Sequence, residues 1–340
     1  MKRRTFITLL AVGSVAACSR PAHATIRGLT MGTSYTVELA APIDDAARTR
    51  LAEAIEVELA AINRAMSTYD PRSELSEFNR RQDLHWVPAS RGLLEVLDRA
   101  WQISTASQGA FDVTVGPLVD LWGFGPEIRA RRVPDDAAVE RARQSVGYQH
   151  VQADLSAGAI RKRDSRIQVD VCAIAKGYGV DRVAMVLDQQ GVHDYLVEIG
   201  GELRARGTTA AGKPWRVGIE RPVEGGHVLG ETVVLENRGI ATSGTTEDFF
   251  EQDGRHYSHI IDPKTARPVV HPSIAVSVIA DTTMEADAWA TALVVHGPER
   301  GYALAQARGL AVMFVTASGS AFDVRVTDAF RAHLASTPLS

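Results

Sequence analysis

Asp287 and Thr291 lie four residues apart in the run EADAWATALVVHG, residues 285–297. The run is mostly apolar and predicts a packed helix, on which positions four residues apart share a face. A buried carboxylate is costly unless it is paired or binds a metal ion. One interpretation is an aspartate paired with a nearby arginine or lysine and a threonine bonded to its own helix. The other is a pair of hard oxygen ligands of the kind that Mg²⁺ prefers.

A second candidate is Lys176, in the segment VDVCAIAKGYGVD, residues 169–181. The pattern predicts a helix that begins near Ile174, which places the lysine in the first turn. A cation there opposes the helix dipole at a cost of about 0.3 to 1 kcal/mol. The lysine is either solvated or paired with Asp170, or it joins the free backbone N–H groups in binding an anion. An anion site together with an oxygen-ligand metal site indicates phosphoryl chemistry.

His259 and two aromatic residues are weaker candidates. His259 lies in SHIIDPKT beside the turn signal Asp262-Pro263, where a histidine is more often structural. Tyr69 of MSTYD and Phe111 of GAFDV are typical of core or turn packing, although aromatic rings also stack on planar ligands. Several well-known motifs are absent from the sequence: a complete G-x-G-x-x-G, a Walker A loop, H-E-x-x-H, G-x-S-x-G and paired C-x-x-C.

The elements that position these residues mix helical and strand-like patterns without a regular βαβ cycle. We therefore expect an α+β fold, as one domain over residues 22–335. Helices are predicted over 44–66, 90–107, 134–146, from Ile174 to Gly191, from a capping box at Thr282 and Glu285 to Gly297-Pro298, near 299–307, and, as a short one, after Ser73. Strands are predicted at RIQVDV, YLVEI, ELRAR, WRVGIE, HVLGETVVLE, GIATSG, HYSHIID, SIAVSVIA, LAVMFVTA and AFDVRV, while residues 109–125 are expected to hold one short strand at most.

The composition bounds the class of protein. The chain has 340 residues, of which 45% are hydrophobic and 23% charged, as is usual for a soluble globular protein. The net charge of −4 gives no basic footprint, so we expect no nucleic-acid partner. Beyond the N-terminus, no apolar stretch approaches the roughly 20 residues that a membrane-spanning helix needs.

The N-terminal residues 1–21 predict an export signal. MKRRTFITLLAVGSVAACSR has a cationic start, an apolar core and small residues before Cys18. Arg3-Arg4 resembles a twin-arginine signal, and Val15-Ala16-Ala17-Cys18 resembles a lipoprotein cleavage site; the alternative is a plain secretory signal. We expect an exported, periplasmic protein that lipidation of Cys18 can attach to the inner membrane. The other cysteine, Cys172, then has no partner for an internal disulfide.

Nine segments in order resemble the FAD:protein FMN transferase family, also called ApbE-like proteins, over about residues 26–325. Each is modest alone, and the ordered series is specific. The segments are MGTSY (31–35), MSTYDP (66–71), GAFDVTVGPLVDLWGFG (109–125), VDVCAIAKGYGVD (169–181), EIGGELRARG (198–207), WRVGIERP (215–222), ATSG (241–244), YSHIIDPKT (257–265) and EADAWATAL (285–293).

This resemblance implies an activity and a set of site residues. Family members bind FAD and Mg²⁺, split the pyrophosphate, transfer FMN to a Ser or Thr hydroxyl of an acceptor flavoprotein and release AMP. It implies mixed helices and mainly antiparallel strands in two interleaved lobes, with FAD in the cleft between them. His259 is similar to the family's functional histidine, near the reacting phosphate, and Lys176 would neutralise charge there. By position, the implied FAD contacts are Met31, Tyr69, Ala110, Phe111, Asp112, Asp170, Lys176 and Ile261, and the implied Mg²⁺ ligands are Asp287, Thr291 and the carbonyl of Ala173.

The chain departs from the family pattern in three places. Cys172 stands where a small residue is common, Ala266 stands where Gly is common, and TTEDFF follows ATSG where members tend to have an Asp and a Tyr. The third departure bears on the choice of acceptor, for which a respiratory electron-transfer subunit is the usual client of the family. Two alternatives keep the site but change the function: an FAD pyrophosphatase that uses water, which a bulky Tyr69 disfavours, and a non-catalytic FAD carrier or assembly factor.

Overall fold

The computed structural model describes residues 23–126, 130–223, 226–318 and 321–336. The predicted export signal over residues 1–21, with Cys18, lies outside the described residues. None of the helices within the described ranges is long and apolar enough to cross a membrane.

The described residues form eight α-helices and a 3₁₀ turn, Tyr148–His150. The helices are α1 Asp45–Met66, α2 Glu74–Arg80, α3 Arg91–Ala106, α4 Gly116–Leu121, α5 Asp136–Arg143, α6 Cys172–Gln189, α7 Thr283–Ala307 and α8 Asp328–Arg331. The strands are β1 Ala24–Thr30, β2 Thr33–Leu39, β3 Val87–Pro88, β4 Val151–Asp154, β5 Ala159–Lys162, β6 Tyr195–Ile199, β7 Glu202–Arg206, β8 Trp215–Val223, β9 Gly226–Leu235, β10 Gly239–Gly244, β11 Phe249–Gln252, β12 Arg255–Ser258, β13 Ile261–Asp262, β14 Arg267–Pro268, β15 Ser273–Ala280, β16 Ala311–Ser318 and β17 Ala321–Val326.

An eight-stranded sheet forms the centre, in the order β1-β2-β6-β7-β10-β15-β16-β17. All strand pairs within the described ranges are antiparallel. Helices α1, α3, α6 and α7 contribute to the largest apolar cluster with one face of this sheet, and the hairpin β8–β9 belongs to a second cluster with α8. The predicted α+β class with mainly antiparallel strands is confirmed.

A smaller apolar cluster surrounds Trp122, whose indole N–H donates to the carbonyl of Ala266 at 3.1 Å. Its members come from two separate stretches of chain, from Leu118 to Val146 and from Phe250 to Ala266. Because distant segments build one packed unit, this cluster agrees with the interleaved arrangement that the resemblance implies.

The start of α7 is fixed by two caps. The Thr282 hydroxyl accepts a hydrogen bond from the Glu285 amide at 3.2 Å, as the predicted capping box requires. The Glu285 carboxylate pairs with Arg99 at 2.9 Å. The Asp181 carboxylate, from the middle of α6, accepts the amides of Thr283 and Met284 at 3.0 and 2.9 Å. A carboxylate on the first free N–H groups of a helix is stabilising, so α6 orients α7.

Gly297 divides α7 into two segments, as predicted. Its φ of 76° is non-helical, and Pro298 follows it. Proline starts a helix readily but cannot continue one. Asp287 and Thr291 therefore lie on the first segment, and α7 packs against strands β10 and β15 of the central sheet.

Two predictions of secondary structure are wrong. The segment RIQVDV, residues 166–171, is not a strand: both the amide and the carbonyl of Val169 bond to the side chain of Asn79, at 2.7 and 2.8 Å, instead of to a neighbouring strand. Residues 109–125, expected to hold at most one strand, contain α4, because Pro117 in its first turn is preorganised for a helix.

Candidate active site

Helix α6 begins with a distorted turn. The Asp170 carboxylate accepts the Cys172 amide at 2.8 Å, which caps the helix, and Ala173 then leaves helical geometry with φ −86° and ψ 15°. The first turn of α6 is therefore not a regular helical turn. Free N–H groups at such an end attract anions.

Asp287 contacts this turn directly. Its Oδ2 accepts the Gly177 amide at 2.9 Å, and the residue is only 3% exposed. In a regular helix the Gly177 amide would donate to the carbonyl of Ala173, four residues earlier. The Gly177 amide thus donates to a buried carboxylate of α7. The predicted ligand Asp287 therefore contacts α6 four residues after the predicted ligand Ala173, and their assignment as metal ligands stays a prediction.

Glycine is required at position 177 because α6 and α7 touch here. A Cβ atom on Gly177 would clash with the backbone carbonyl of Thr283. The close approach of the two helices is what allows a side chain of α7 to reach a backbone amide of α6.

The third predicted ligand, Thr291, lies one turn further along α7. Its hydroxyl is 3.0 Å from that of Ser243 on β10, so the threonine is partnered across the fold rather than only along its own helix. The sequence analysis named the segment ATSG but not Ser243 as a site residue. The hydrogen bond with Ser243 orients Thr291 Oγ1, which keeps a lone pair for another ligand whichever hydroxyl donates.

Lys176 is partnered by a residue that the sequence analysis missed. Its Nζ lies 2.6 Å from Oε1 of Glu202, the first residue of β7, and not in a pair with Asp170. The Glu202 side chain is 3% exposed and that of Lys176 is 33% exposed. Lys176 is thus held by a buried carboxylate, while part of its side chain stays exposed. The only sequence signal was an acidic residue immediately after the Gly200-Gly201 turn.

Lys176 and the carboxylates around it shift one another's pKa values. Burial alone would lower the pKa of Lys176, but the carboxylates of Glu202, Asp287 and Glu247 raise it above its ordinary value. Burial raises the pKa of Glu202, against the opposing effect of Lys176. Burial also raises the pKa of Asp287, opposed by Lys176 and by the Gly177 amide. Because burial disfavours the charged forms of Glu202 and Asp287, a cation bound beside them would stabilise those forms.

His259 is held by the loop that follows β10. Its Nδ1 is 3.1 Å from the carbonyl oxygen of Asp248, which also accepts the His259 backbone amide at 3.0 Å. A carbonyl only accepts, so Nδ1 carries the proton in the neutral ring and Nε2 keeps a lone pair. The Asp248 carboxylate is in turn paired with Arg131 at 2.6 Å. Residue 248 follows Glu247, which acts on Lys176, so one loop links the two parts of the site.

Tyr69 lies at the rim of a cleft of about 680 Å³ that Asp120, Asp170 and Gly116 also line. It is 68% exposed. Partial burial of the phenol is the largest cause of its raised pKa, followed by the nearby acidic groups of Cys172, Asp170, Asp248 and Asp120. The phenol thus lies within electrostatic reach of both the start of α6 and the loop that holds His259.

The remaining predicted FAD contacts face inward. The side chains of Ala110, Phe111 and Ile261 are buried in the core, and Asp112 Oδ1 and Oδ2 accept the amides of Thr114 and Tyr148 at 2.8 and 2.9 Å. Contact of these residues with a ligand would therefore run through their backbone. Their assignment as FAD contacts stays a prediction.

Met31 is placed against α6. Its φ is 48°, in the left-handed region, and a Cβ on Gly179 would lie 2.9 Å from the Met31 Cε. Gly179 is three residues from Lys176, so both lie on one face of the helix. Met31 therefore packs against α6, and its assignment as an FAD contact stays a prediction.

The donor set bears on which metal ion fits. Across the described ranges, no three His, Cys, Asp or Glu side chains are grouped as a metal site. The predicted ligands offer one carboxylate, one hydroxyl and one carbonyl, all of them oxygen. Such a partial oxygen set suits Mg²⁺, which commonly keeps several waters and binds substrate phosphates.

Comparisons with known proteins show the family of the chain. The profile of the ApbE family matches residues 31–314. The chain is 38% identical over 333 residues to the FAD:protein FMN transferase of Vibrio cholerae, covering 98% of this chain and 99% of that protein. It is 36% identical over 318 residues to the FAD:protein FMN transferase of Salmonella typhimurium, covering 93% and 91%.

Solved structures show the same fold. The flavin transferase ApbE from Vibrio cholerae superposes with a TM-score of 0.84 at 38% identity, over 92% of this chain and 99% of that one. The apo form of the Pseudomonas stutzeri flavinyl transferase ApbE superposes with a TM-score of 0.83 at 38% identity, over 92% and 96%.

Proposed function

This chain belongs to the ApbE family and is a flavin transferase, and we propose that it transfers FMN from FAD to a Ser or Thr hydroxyl of an acceptor protein in an Mg²⁺-dependent reaction that releases AMP. The observation that carries the proposal is the hydrogen bond from the Gly177 amide to Asp287. It joins the helix N-terminus suited to a pyrophosphate with the carboxylate suited to a metal ion.

Three residues would hold Mg²⁺: Asp287 through Oδ1, Thr291 through its hydroxyl and Ala173 through its carbonyl. Support comes from two hydrogen bonds. The first occupies Asp287 Oδ2 and leaves Oδ1 for a metal ion. The second orients the Thr291 hydroxyl, whose oxygen keeps a lone pair for the metal. Bound there, Mg²⁺ supplies Lewis-acid neutralisation of the charge that develops on the pyrophosphate.

FAD is the donor substrate. The FAD pyrophosphate would lie at the start of α6, where the ammonium of Lys176 can donate to the phosphate oxygens. The flavin ring would lie in the cleft beside Tyr69, with Met31, Asp170 and the backbone of residues 110–112 and of Ile261 as further contacts. The partial exposure of Lys176 and the exposure of Tyr69 support this orientation.

The reaction then balances with the groups in place. The acceptor hydroxyl oxygen attacks the FMN-side phosphorus of FAD, a phosphoester bond forms, and the bond from that phosphorus to the bridging oxygen breaks. AMP leaves with the bridging oxygen. Nε2 of His259 takes the hydroxyl proton, because Nδ1 is already bonded to the carbonyl of Asp248. In-line attack requires the acceptor to enter between His259 and the pyrophosphate.

We further propose that the acceptor is an exported respiratory electron-transfer subunit, and that this protein meets it in the periplasm. The support is the export signal predicted from Arg3-Arg4 and the apolar segment before Cys18. Replacing both arginines by lysine should retain the protein in the cytoplasm. Labelling with a palmitate analogue tests the lipid anchor, which Cys18→Ala should abolish.

The activity is tested by incubating the purified protein with FAD, Mg²⁺ and a respiratory electron-transfer subunit that carries an acceptor hydroxyl. Intact-mass spectrometry of the acceptor and quantification of AMP are the readouts. We expect one added FMN phosphoester per AMP, and loss of both products with EDTA or with Asp287→Ala. Glu299→Ala is the matched control, because this exposed carboxylate lies on the second segment of the same helix.

The other outcomes distinguish the alternatives. AMP without added acceptor mass, with several acceptors, indicates the pyrophosphatase. FAD binding without AMP, unaffected by Asp287→Ala, indicates a carrier.

A further inference from the structure

Glu202 is a buried carboxylate that the reaction described above does not use. Its Oε1 lies 2.6 Å from Lys176 Nζ, and its Oε2 is buried without a hydrogen-bond partner among the described residues. A buried polar atom without a partner carries a cost, so its retention points to a role beyond packing. Glu202 lies on β7, which packs against α6, and its side chain is buried.

Asp287 is a second carboxylate whose charge acts on the same lysine. It accepts the amide of Gly177, the residue directly after Lys176, and it raises the pKa of Lys176 as Glu202 does. Only Glu202 contacts the ammonium, however: among the described residues, the ion pair of Lys176 is with Glu202. Lysine has a long flexible side chain whose ammonium can turn toward either of two nearby carboxylates.

We propose that Glu202 is a positioning residue that holds Lys176 away from Asp287 and so keeps Asp287 free to bind Mg²⁺. The inference rests on the proposed function, since it takes Asp287 as a metal ligand. Without Glu202, the ammonium turns to the next carboxylate and forms an ion pair with it. A metal ion must then displace that ammonium before it binds. Loss of Glu202 therefore acts first on the Mg²⁺ requirement, and through Lys176.

The test uses Glu202→Gln, which keeps the size of the side chain and its acceptor oxygen but removes the charge. Transfer of FMN is measured against Mg²⁺ concentration at saturating FAD and acceptor. We expect the half-saturating Mg²⁺ concentration to rise about tenfold, as for other residues that support a metal ligand, while the rate at saturating Mg²⁺ falls much less. Glu202→Asp keeps the charge one methylene short and should give a smaller rise.

Two controls separate positioning from a general loss of charge or of fold. Glu198→Gln removes a carboxylate from neighbouring strand β6, where Glu198 accepts the Gly201 amide at 2.7 Å, and should leave the Mg²⁺ requirement within twofold. In a Lys176→Met background, Glu202→Gln should no longer raise the metal requirement, because the competing ammonium is gone. Circular dichroism and thermal unfolding check that each variant is folded.

A binding measurement keeps the test independent of turnover. Binding of Mn²⁺ to the protein with FAD, in the absence of acceptor, is followed by electron paramagnetic resonance, with AMP measured alongside. Glu202→Gln should weaken Mn²⁺ binding by a similar factor in the wild-type background only. Equal Mn²⁺ binding by both proteins, or the same loss in the Lys176→Met background, overturns the proposal. If the wild-type protein binds Mn²⁺ but transfers no FMN to any acceptor, the proposed function fails while this result still stands.

Discussion

The imidazole of His259 and the backbone carbonyl of Asp248 are joined at 3.1 Å, and this bond selects which ring nitrogen can act as a base. The carbonyl belongs to the loop that also carries Glu247, whose carboxylate raises the pKa of Lys176. The orientation of the histidine and the electrostatics of the lysine therefore depend on one short segment, residues 245–248, which follows β10.

Replacing His259 by Ala should reduce the turnover number for FMN transfer by about 10²-fold or more, because a positioned general base contributes roughly that factor. FAD affinity, measured by quenching of flavin fluorescence, should change little. His256→Ala is the matched control, since the His256 ring bonds the carbonyl of Thr245 within the same region. A turnover number within fivefold of wild type for His259→Ala would contradict a catalytic role.

Thr291→Val should raise the half-saturating Mg²⁺ concentration about tenfold, because it removes a ligand oxygen while keeping the shape of the side chain. Ser243→Ala should have a smaller effect, and the double variant should be no worse than Thr291→Val, because Ser243 acts through Thr291. Thr242 lies on the same strand as Ser243, and its hydroxyl bonds Ser277 on β15 at 2.8 Å, so Thr242→Val controls for loss of a hydroxyl. Additive effects of the two variants would refute the coupling.

Gly177→Ala should lower the free energy of unfolding by about 2 kcal/mol or more, because the added methyl group meets the rigid backbone of Thr283. It should also impair metal-dependent activity, since α7 must move away from α6. Urea denaturation gives the first quantity and an Mg²⁺ titration the second. Gly116→Ala, whose nearest neighbouring atom would be 3.5 Å away, is the control for stability. Equal stability of the two variants would show that the helices do not touch as described.

Lys162 predicts a pH dependence of stability. The residue is 2% exposed, and its Nζ donates to the carbonyls of Asn79 and Arg81. Burial lowers the pKa of Lys162 to about 8 in the folded protein, from 10.5. Between these values the unfolded chain binds the proton and the folded chain does not, so stability rises with pH across that window.

The difference in unfolding free energy between wild type and Lys162→Met isolates this effect from all other titrating groups. We expect the difference to shift in favour of wild type by about 3 kcal/mol between pH 7.5 and pH 10.5, since each pKa unit corresponds to about 1.4 kcal/mol. Urea denaturation at a series of pH values measures it. A difference that is constant over this range would mean that the folded protein leaves the pKa of Lys162 unchanged.

The sequence by itself determined the features that depend on neighbouring residues. Helix α7 follows from its apolar pattern, the cap at Thr282 and the break at Gly297-Pro298, all of which act within a few residues. The shared face of Asp287 and Thr291 follows from the same helical period. The ordered motifs identified the family, which the comparisons confirm over most of the chain.

Only the tertiary structure decided which residues these groups meet. Glu202 reaches Lys176 across 26 positions, Ser243 reaches Thr291 across 48, and the Gly177 amide reaches Asp287 across 110. The prediction of a strand at RIQVDV is wrong for the same reason. The partner of the Val169 backbone is the side chain of Asn79, 90 positions away. Patterns of polarity report burial and local period, but they carry no information on which distant segment supplies a partner. That choice is made when α6 and α7 pack against each other and against the central sheet.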